Sequence, residues 1–256
     1  MGISERVAIY KAIEERRQRP LIAYVTSTRN GIQATIGSDA IPELVDQIER
    51  LPKDAPGVDL LIVSNGGDAT VAWRMMSLLR ERVKKVAVLV PHAAFSAATL
   101  LALGADELLI HPNGNLGPTD TQIIHQRKKP GTNEMETIHF GSEDLASFLE
   151  FVRTRVGLTD QEHLRVLFER FCSEVGTIPV GVSMRGSRLS LSLGEKLLRM
   201  HMSDPAGAQK AKALAEALNN SFFHHAYAVG RTEAKEMGLP PRVQTSCRVA
   251  WAAQAG

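Results

Sequence analysis

The sequence is poor in cysteine, in aromatic residues and in long apolar runs. Its 256 residues include two cysteines, Cys172 and Cys247, and aromatic side chains make up 5% of the chain. Two distant cysteines provide neither a disulfide framework nor the spacing of a zinc site, which favours a reducing compartment. The longest apolar stretch, residues 93–105, is shorter than a bilayer span and contains Ser96 and Thr99. No integral membrane segment is therefore predicted.

An excess of charge of one sign is also missing. Thirty Lys and Arg residues face 28 Asp and Glu residues, a formal charge of +2. This balance argues against a protein devoted to nucleic acid or to anionic membranes. The first residues, MGISERVAIY, lack the apolar core of a secretory signal, so we expect a cytoplasmic protein. No HExxH, paired CxxC or Walker loop occurs, so no metal and no cofactor are predicted.

Apolar strands alternate with helical patterns over the first half of the chain. Predicted strands cover residues 21–27, 58–64, 86–90 and 106–111. Predicted helices cover residues 4–17, 41–51, 69–82 and 96–103. Strands that are apolar throughout and alternate with helices indicate a parallel sheet covered on both faces. The sequence therefore predicts an α/β core over residues 1–122.

The pattern changes after Asp120. Residues 123–140 include the polar segment HQRKKPGTNEMET, which shows no periodicity and predicts a loop or lid. Residues 141–256 are predicted to be mainly helical and to pack on the core. Capping-box patterns at Thr159 with Glu162 and at Ser192 with Glu195 predict two helix starts there.

Two turns that follow neighbouring predicted strands carry the residues suited to chemistry. The turn SNGGD, residues 64–68, contains Gly66 and Gly67, which let the backbone come close to a ligand with its amides outward. The turn PHAAFSAAT, residues 91–99, places the Ser96 hydroxyl among small residues. Parallel strands end at the same edge of a sheet, so this hydroxyl and the glycine amides are expected to converge on one carbonyl group.

These turns, with GADELLIHPNGNLGPTD at 104–120 and HAYAVGRTEAKEMGL at 225–239, resemble the serine dehydrogenase proteinase family. That family belongs to the Clp peptidase and crotonase-like superfamily and is related to signal peptide peptidase A. The resemblance is strongest over residues 60–122. It implies a crotonase/Clp-like spiral of ββα units with a mainly parallel sheet and a helical C-terminal extension. It also implies an ATP-independent serine endopeptidase that acts on peptides or proteins as a homo-oligomer.

The resemblance further implies a catalytic triad in the order Ser, Asp, His. Ser96 matches the nucleophile, Asp120 matches the acid and His225 matches the base. The amides of Gly67, beside Gly66, and of Ala97 match the oxyanion site.

Alternatives stay open for both the base and the function. The other candidate bases are His224, His125, and Lys128 with Lys129. An acyl-CoA-processing enzyme of the crotonase type is the first alternative function, with Asp68 as the nearest acidic residue. A catalytically silent scaffold is the second, because Ala98 and Ala226 replace a Gly and an Asp of the family pattern.

Overall fold

A computed structural model of the chain describes residues 2–29, 31–32, 34–129, 131–220 and 227–239. It divides into two compact units: the first covers the described residues up to Thr119 and from Ser192 onward, and the second covers Asp120–Leu191. The described elements, in chain order, are α1 (Ile3–Arg17), β1 (Leu21–Val25), α2 (Ala40–Glu49), β2 (Val58–Val63), α3 (Ala69–Arg82), β3 (Val86–Val90), β4 (Ala93–Ala94), α4 (Ala97–Leu103), β5 (Glu107–Ile110), β6 (Asn115–Leu116), β7 (Gln122–Lys128), β8 (Met135–Gly141), α5 (Ser142–Phe151), a π-helical turn (Val152–Val156), α6 (Gln161–Val175), α7 (Thr177–Arg199), α8 (Pro205–Asn220), β9 (Val229–Gly230) and α9 (Arg231–Glu236).

The core of the first unit is a four-stranded parallel sheet in the order β1-β2-β3-β5. Successive side chains of a strand point to opposite faces, and both faces are buried along most of β2, β3 and β5, while β1 exposes Ala23 and Val25 at the edge of the sheet. One face packs in a large cluster with α2, α3, α4 and α8, through residues such as Leu60 and Val88. The other face contributes Leu61 and Leu89 to a smaller cluster around Ile13 of α1. This burial on both sides explains the apolar strands and confirms the predicted α/β fold.

Several predicted elements agree closely with the structure. The helix predicted over residues 69–82 and the strand predicted over 86–90 are α3 and β3. The other predicted strands of the core sheet, and its first two helices, are also present, with ends that differ by one or two residues.

The prediction of a loop over residues 123–140 is wrong, because the second unit contains a β-hairpin there. β7 and β8 pair antiparallel, with Gln122 opposite Gly141 and Lys128 opposite Met135. Along β7, exposed residues alternate with half-buried ones. Neither face carries only apolar residues, since Ile123 and Ile124 point to opposite sides of the hairpin. The sequence therefore lacked the clean alternation that identifies a strand.

Both predicted capping boxes are also misplaced. α6 begins after Asp160, whose side chain accepts a hydrogen bond from the His163 amide at 3.1 Å, so Thr159 is not the cap. Ser192 lies inside α7 and starts no helix. A Ser or Glu that suits a helix start is also tolerated in a helix interior, so the motif alone does not place the boundary.

A buried cluster of charges lies at the N-terminal ends of the strands. Asp59 of β2 is fully buried and pairs with Arg17, which also donates to Glu107 of β5 at 3.1 Å. Arg19 donates to Glu107 at 3.2 Å. Burial alone would raise the pKa of Glu107, but the hydrogen bonds from both arginines hold it below its ordinary value. The cluster joins the end of α1 to two strands of the sheet.

Candidate active site

The two turns singled out in the sequence lie side by side at the C-terminal ends of β2 and β3. The Ser64 amide donates to the Ala93 carbonyl at 2.8 Å, and the Phe95 amide donates to the Ser64 carbonyl at 3.0 Å. These bonds continue the parallel pairing beyond the sheet. They bring the glycine turn against the turn that carries Ser96.

The glycine turn uses conformations that glycine adopts most easily. Gly66 has a φ of +107° and Gly67 a φ of +148°. Asp68 then caps α3 by accepting hydrogen bonds from the Thr70 amide at 2.7 Å and the Thr70 hydroxyl at 2.6 Å. The hydrogen bond from the Thr70 hydroxyl, together with those from the Thr70 and Val71 amides, lowers the pKa of the Asp68 carboxyl group. The Asp68 carboxylate therefore acts as the N-cap of α3.

Ser96 has a backbone conformation that side chains rarely adopt. Its φ is 53° and its ψ is −119°, and among the described residues Gln18 is the other non-glycine residue with positive φ. Such strain persists only when the surroundings impose it, and it concentrates at functional sites. Ser96 itself is half-buried, whereas Ala97 and Ala98 are buried.

Gly66 lies directly against Ser96. A Cβ placed on Gly66 would be 2.7 Å from the Ser96 Cβ and 2.7 Å from the Phe95 carbonyl oxygen. Any side chain larger than hydrogen at position 66 would therefore displace the turn that holds Ser96.

The backbone amides of the two turns are not all used. In the glycine turn, the amides of Ser64, Gly66 and Asp68 donate to the Ala93 carbonyl, the Ser64 hydroxyl and the Ile36 carbonyl. The amides of Gly67 and Ala97 donate to no acceptor in the part of the chain that the structure describes. The two amides matched to the oxyanion site are thus among the turn amides that have no acceptor in the described residues, as an oxyanion donor requires.

A buried threonine, which the sequence analysis missed, holds the serine turn in place. The Thr99 hydroxyl lies 2.6 Å from the Ala94 carbonyl and 2.9 Å from the Gly117 carbonyl, and it accepts the Gly117 amide at 3.0 Å. It therefore ties the serine turn to Gly117, the residue directly after β6. A hydroxyl in the otherwise apolar run after Ser96 was the available signal, because a buried polar group needs partners.

A small sheet joins Val229 and Gly230, in the described part of the C-terminal motif, to the strand that precedes the serine turn. β4, which ends two residues before Ser96, pairs with β6, and β6 pairs antiparallel with β9 so that Leu116 faces Val229. His224 and His225, the predicted bases of this motif, lie outside the described residues, as does Ala226.

The remaining candidates lie in the second unit or on the surface. Asp120 is the first residue of the second unit. Burial raises the pKa of Glu143, and the charge of Asp120 raises it further. His125 is half-buried on β7, and Lys128 and Lys129 are exposed. The structure thus brings Ser96, Gly66, Gly67 and Ala97 together in the first unit.

The described residues show no metal centre and no membrane helix. Within these ranges, no group of three His, Cys, Asp or Glu side chains is arranged to hold a metal ion. None of the helices in the same ranges is long and apolar enough to cross a bilayer.

Comparison with known proteins identifies three kinds of similarity. The model of the ClpP-like SDH-type serine proteinase family matches residues 3–138. The uncharacterized protein MJ1495 of Methanocaldococcus jannaschii is 27% identical over 243 residues, which are 93% of this chain and 71% of that protein. The uncharacterized protein MJ0137 of the same organism is 24% identical over 91% of this chain and 72% of its own length. A mutant of the 1510-N membrane-bound stomatin-specific protease, at 13% identity, superposes with a TM-score of 0.47 over 86% of this chain and 75% of that chain.

Proposed function

The chain belongs to the ClpP-like SDH-type serine proteinase family, and on that premise we propose that it cleaves peptide bonds through an acyl-enzyme, without ATP. The observation that carries the proposal is the strained Ser96, held against Gly66 beside two open amides. A nucleophile beside two unused backbone donors is the arrangement that acyl transfer requires.

The proposed reaction proceeds in two steps. The Ser96 oxygen attacks the substrate carbonyl carbon while its proton passes to His225, and the oxyanion accepts hydrogen bonds from the Gly67 and Ala97 amides. Breaking the C–N bond releases the amine, which takes the proton from the imidazole. Water then attacks the ester in the same way and releases the acid. Asp120 would hold the imidazole in the correct tautomer.

The choice of His225 as base is supported by chain connection. Four residues after His225, Val229 enters the small sheet whose strand β4 leads into the serine turn. The rates of peptide hydrolysis of His225→Ala and His224→Ala, measured side by side, show which of the two histidines is the base.

We also propose that the protein works in the cytoplasm as a homo-oligomer on peptide or protein substrates. The second unit supports the oligomer, because several large apolar side chains are exposed on it, including Phe151, Phe168 and Ile178. Apolar surface of this kind is frequent at protein interfaces.

The two alternative functions have less support. An acyl-CoA enzyme would need an acidic residue near the glycine turn, but the Asp68 carboxylate caps α3. The scaffold hypothesis depends partly on Ala98, whose methyl group packs in the main core cluster. The methyl group that Ala98 adds in place of a glycine therefore fills space in the core.

Covalent labelling tests the proposed function directly. A fluorophosphonate probe is expected to modify Ser96 in the intact protein, detected by peptide mass spectrometry. Ser96→Ala should abolish the adduct. Ser77→Ala removes a half-buried hydroxyl that donates to the Trp73 carbonyl on α3, and it should be labelled like the wild type. Absence of a Ser96 adduct, under conditions that label a known serine hydrolase, would contradict the proposal.

Gly66→Ala is expected to lower the rate of Ser96 labelling by about a hundredfold, because the new methyl group would push the serine turn out of place. Gly157→Ala is the matched control, since Gly157 also has positive φ, +78°, but nothing lies within 4 Å of its Cβ position. Labelling kinetics and melting temperatures of both variants provide the measurement. If both variants were labelled at the same rate, the close contact at Gly66 would have no role in the site.

A further inference from the structure

Two hydrogen-bonded hydroxyl groups, that of the buried Ser64 and that of the half-buried Thr26, lie beneath the glycine turn and have no role in the mechanism above. The Ser64 side chain is fully buried, and its hydroxyl accepts hydrogen bonds from the Thr26 hydroxyl at 2.9 Å and from the Gly66 amide at 3.1 Å. The Ser64 hydroxyl in turn lies 3.5 Å from the Gly66 carbonyl oxygen, to which it donates. A serine hydroxyl accepts two hydrogen bonds and donates one, so its capacity is fully used here.

These contacts act on the peptide group that contains the open amide. The Gly66 carbonyl and the Gly67 amide belong to one peptide group, which is trans because the described chain contains no cis peptide bond. In a trans peptide group the C=O and the N–H point in opposite directions. The Gly66 carbonyl accepts the Ile36 amide at 2.7 Å, so the Gly67 amide points away from Ile36.

The alternative orientation of this peptide group is accessible to glycine. Two consecutive glycines can rotate the plane between them without a side-chain clash, and rotation would present a carbonyl in place of the Gly67 amide. Oxyanion stabilisation depends on donors that are already oriented before the reaction. The Gly66 amide donates to the Ser64 hydroxyl, and the Gly66 carbonyl accepts from the Ser64 hydroxyl and from the Ile36 amide. These hydrogen bonds, on both sides of the Gly66 α-carbon, oppose this rotation.

We propose that Ser64, itself held by Thr26, is a positioning residue that keeps the Gly66–Gly67 peptide group with its amide directed to the reacting carbonyl. The proposal rests on the proposed function of the site. Neither hydroxyl touches the substrate in this mechanism, so both act through the glycine backbone.

The labelling rate of Ser96 tests this role. In the labelling step the fluorophosphonate oxygen would occupy the same amide site as a peptide oxyanion. The Ser96 oxygen bonds to phosphorus, its proton passes to the proposed base His225, and fluoride leaves. Ser64→Ala is expected to slow the covalent step by about tenfold or more, with little change in the reversible binding of the probe. Thr26→Val should slow it less, and Thr26→Ser, which retains the hydroxyl, should be close to the wild type. Ser77→Ala is the control for loss of a hydroxyl elsewhere.

Amide exchange provides a readout that is independent of activity. By NMR, the Gly66 amide should exchange slowly in the wild type and at least tenfold faster in Ser64→Ala and Thr26→Val. If Ser64→Ala and Thr26→Val were labelled as fast as the wild type, the positioning role would be overturned even with altered exchange. If the wild type were not labelled at all while Gly66 remained protected, the proposed function would fail and this role would fall with it.

Discussion

Replacement of Ser96 by alanine is expected to reduce peptide hydrolysis by about 10⁴-fold to 10⁶-fold, since it removes the nucleophile that forms the acyl-enzyme in the proposed mechanism. A fluorogenic peptide library, cleaved by wild type and variant at equal concentration, provides the measurement. Ser77→Ala, which loses a hydroxyl on α3, should retain the wild-type rate. Hydrolysis that persists in Ser96→Ala would contradict the assignment of the nucleophile.

A second substitution at the same position separates chemistry from backbone strain. Ser96→Gly should lose activity like Ser96→Ala, but we expect it to be more stable than the alanine variant by about 1 kcal/mol. The reason is that a φ of 53° with a ψ of −119° strains any residue with a Cβ, while glycine adopts it freely. Urea unfolding of the two variants measures the difference. Equal stabilities would show that Ser96 stores no strain.

Asp59→Ala is expected to lower the free energy of unfolding by about 3–5 kcal/mol. Asp59 is fully buried, and the Arg17 side chain paired with it is 8% exposed. Without the carboxylate, the guanidinium groups of Arg17 and Arg19 would share Glu107 as their remaining partner in the cluster. A buried charge that loses its partner retains its full desolvation penalty.

Urea denaturation of Asp59→Ala beside Asp46→Ala provides the comparison. Asp46 is exposed on α2, so its loss should change stability by less than about 0.5 kcal/mol. The double variant Asp59→Ala with Arg17→Met should recover part of the stability, because it removes an uncompensated charge as well. Equal effects of the two single substitutions would contradict the structural role of Asp59.

Some residues of the site could be predicted from the sequence, and others could not. Ser96, Gly66 and Gly67 stand in short turns directly after apolar strands, and in a parallel sheet such turns meet at one edge. Their proximity was therefore predictable. Ser64, Thr26 and Thr99 were not identified, because a hydroxyl after a strand or inside a helix is common. The partners Thr26 for Ser64 and Gly117 for Thr99 lie on other segments of the chain. Thr26 and Ser64 meet only because β1 and β2 are neighbours.

The sequence by itself determined the α/β core, because strands buried on both faces must be apolar throughout and leave a continuous apolar signal. It also determined the position of the two turns. Only the tertiary structure decided the hairpin of β7 and β8, the extent of α7 and the buried pairing of Arg17 with Asp59. In each of these, the stabilising partner lies on another segment, and local periodicity or capping patterns contain no information about which segments become neighbours.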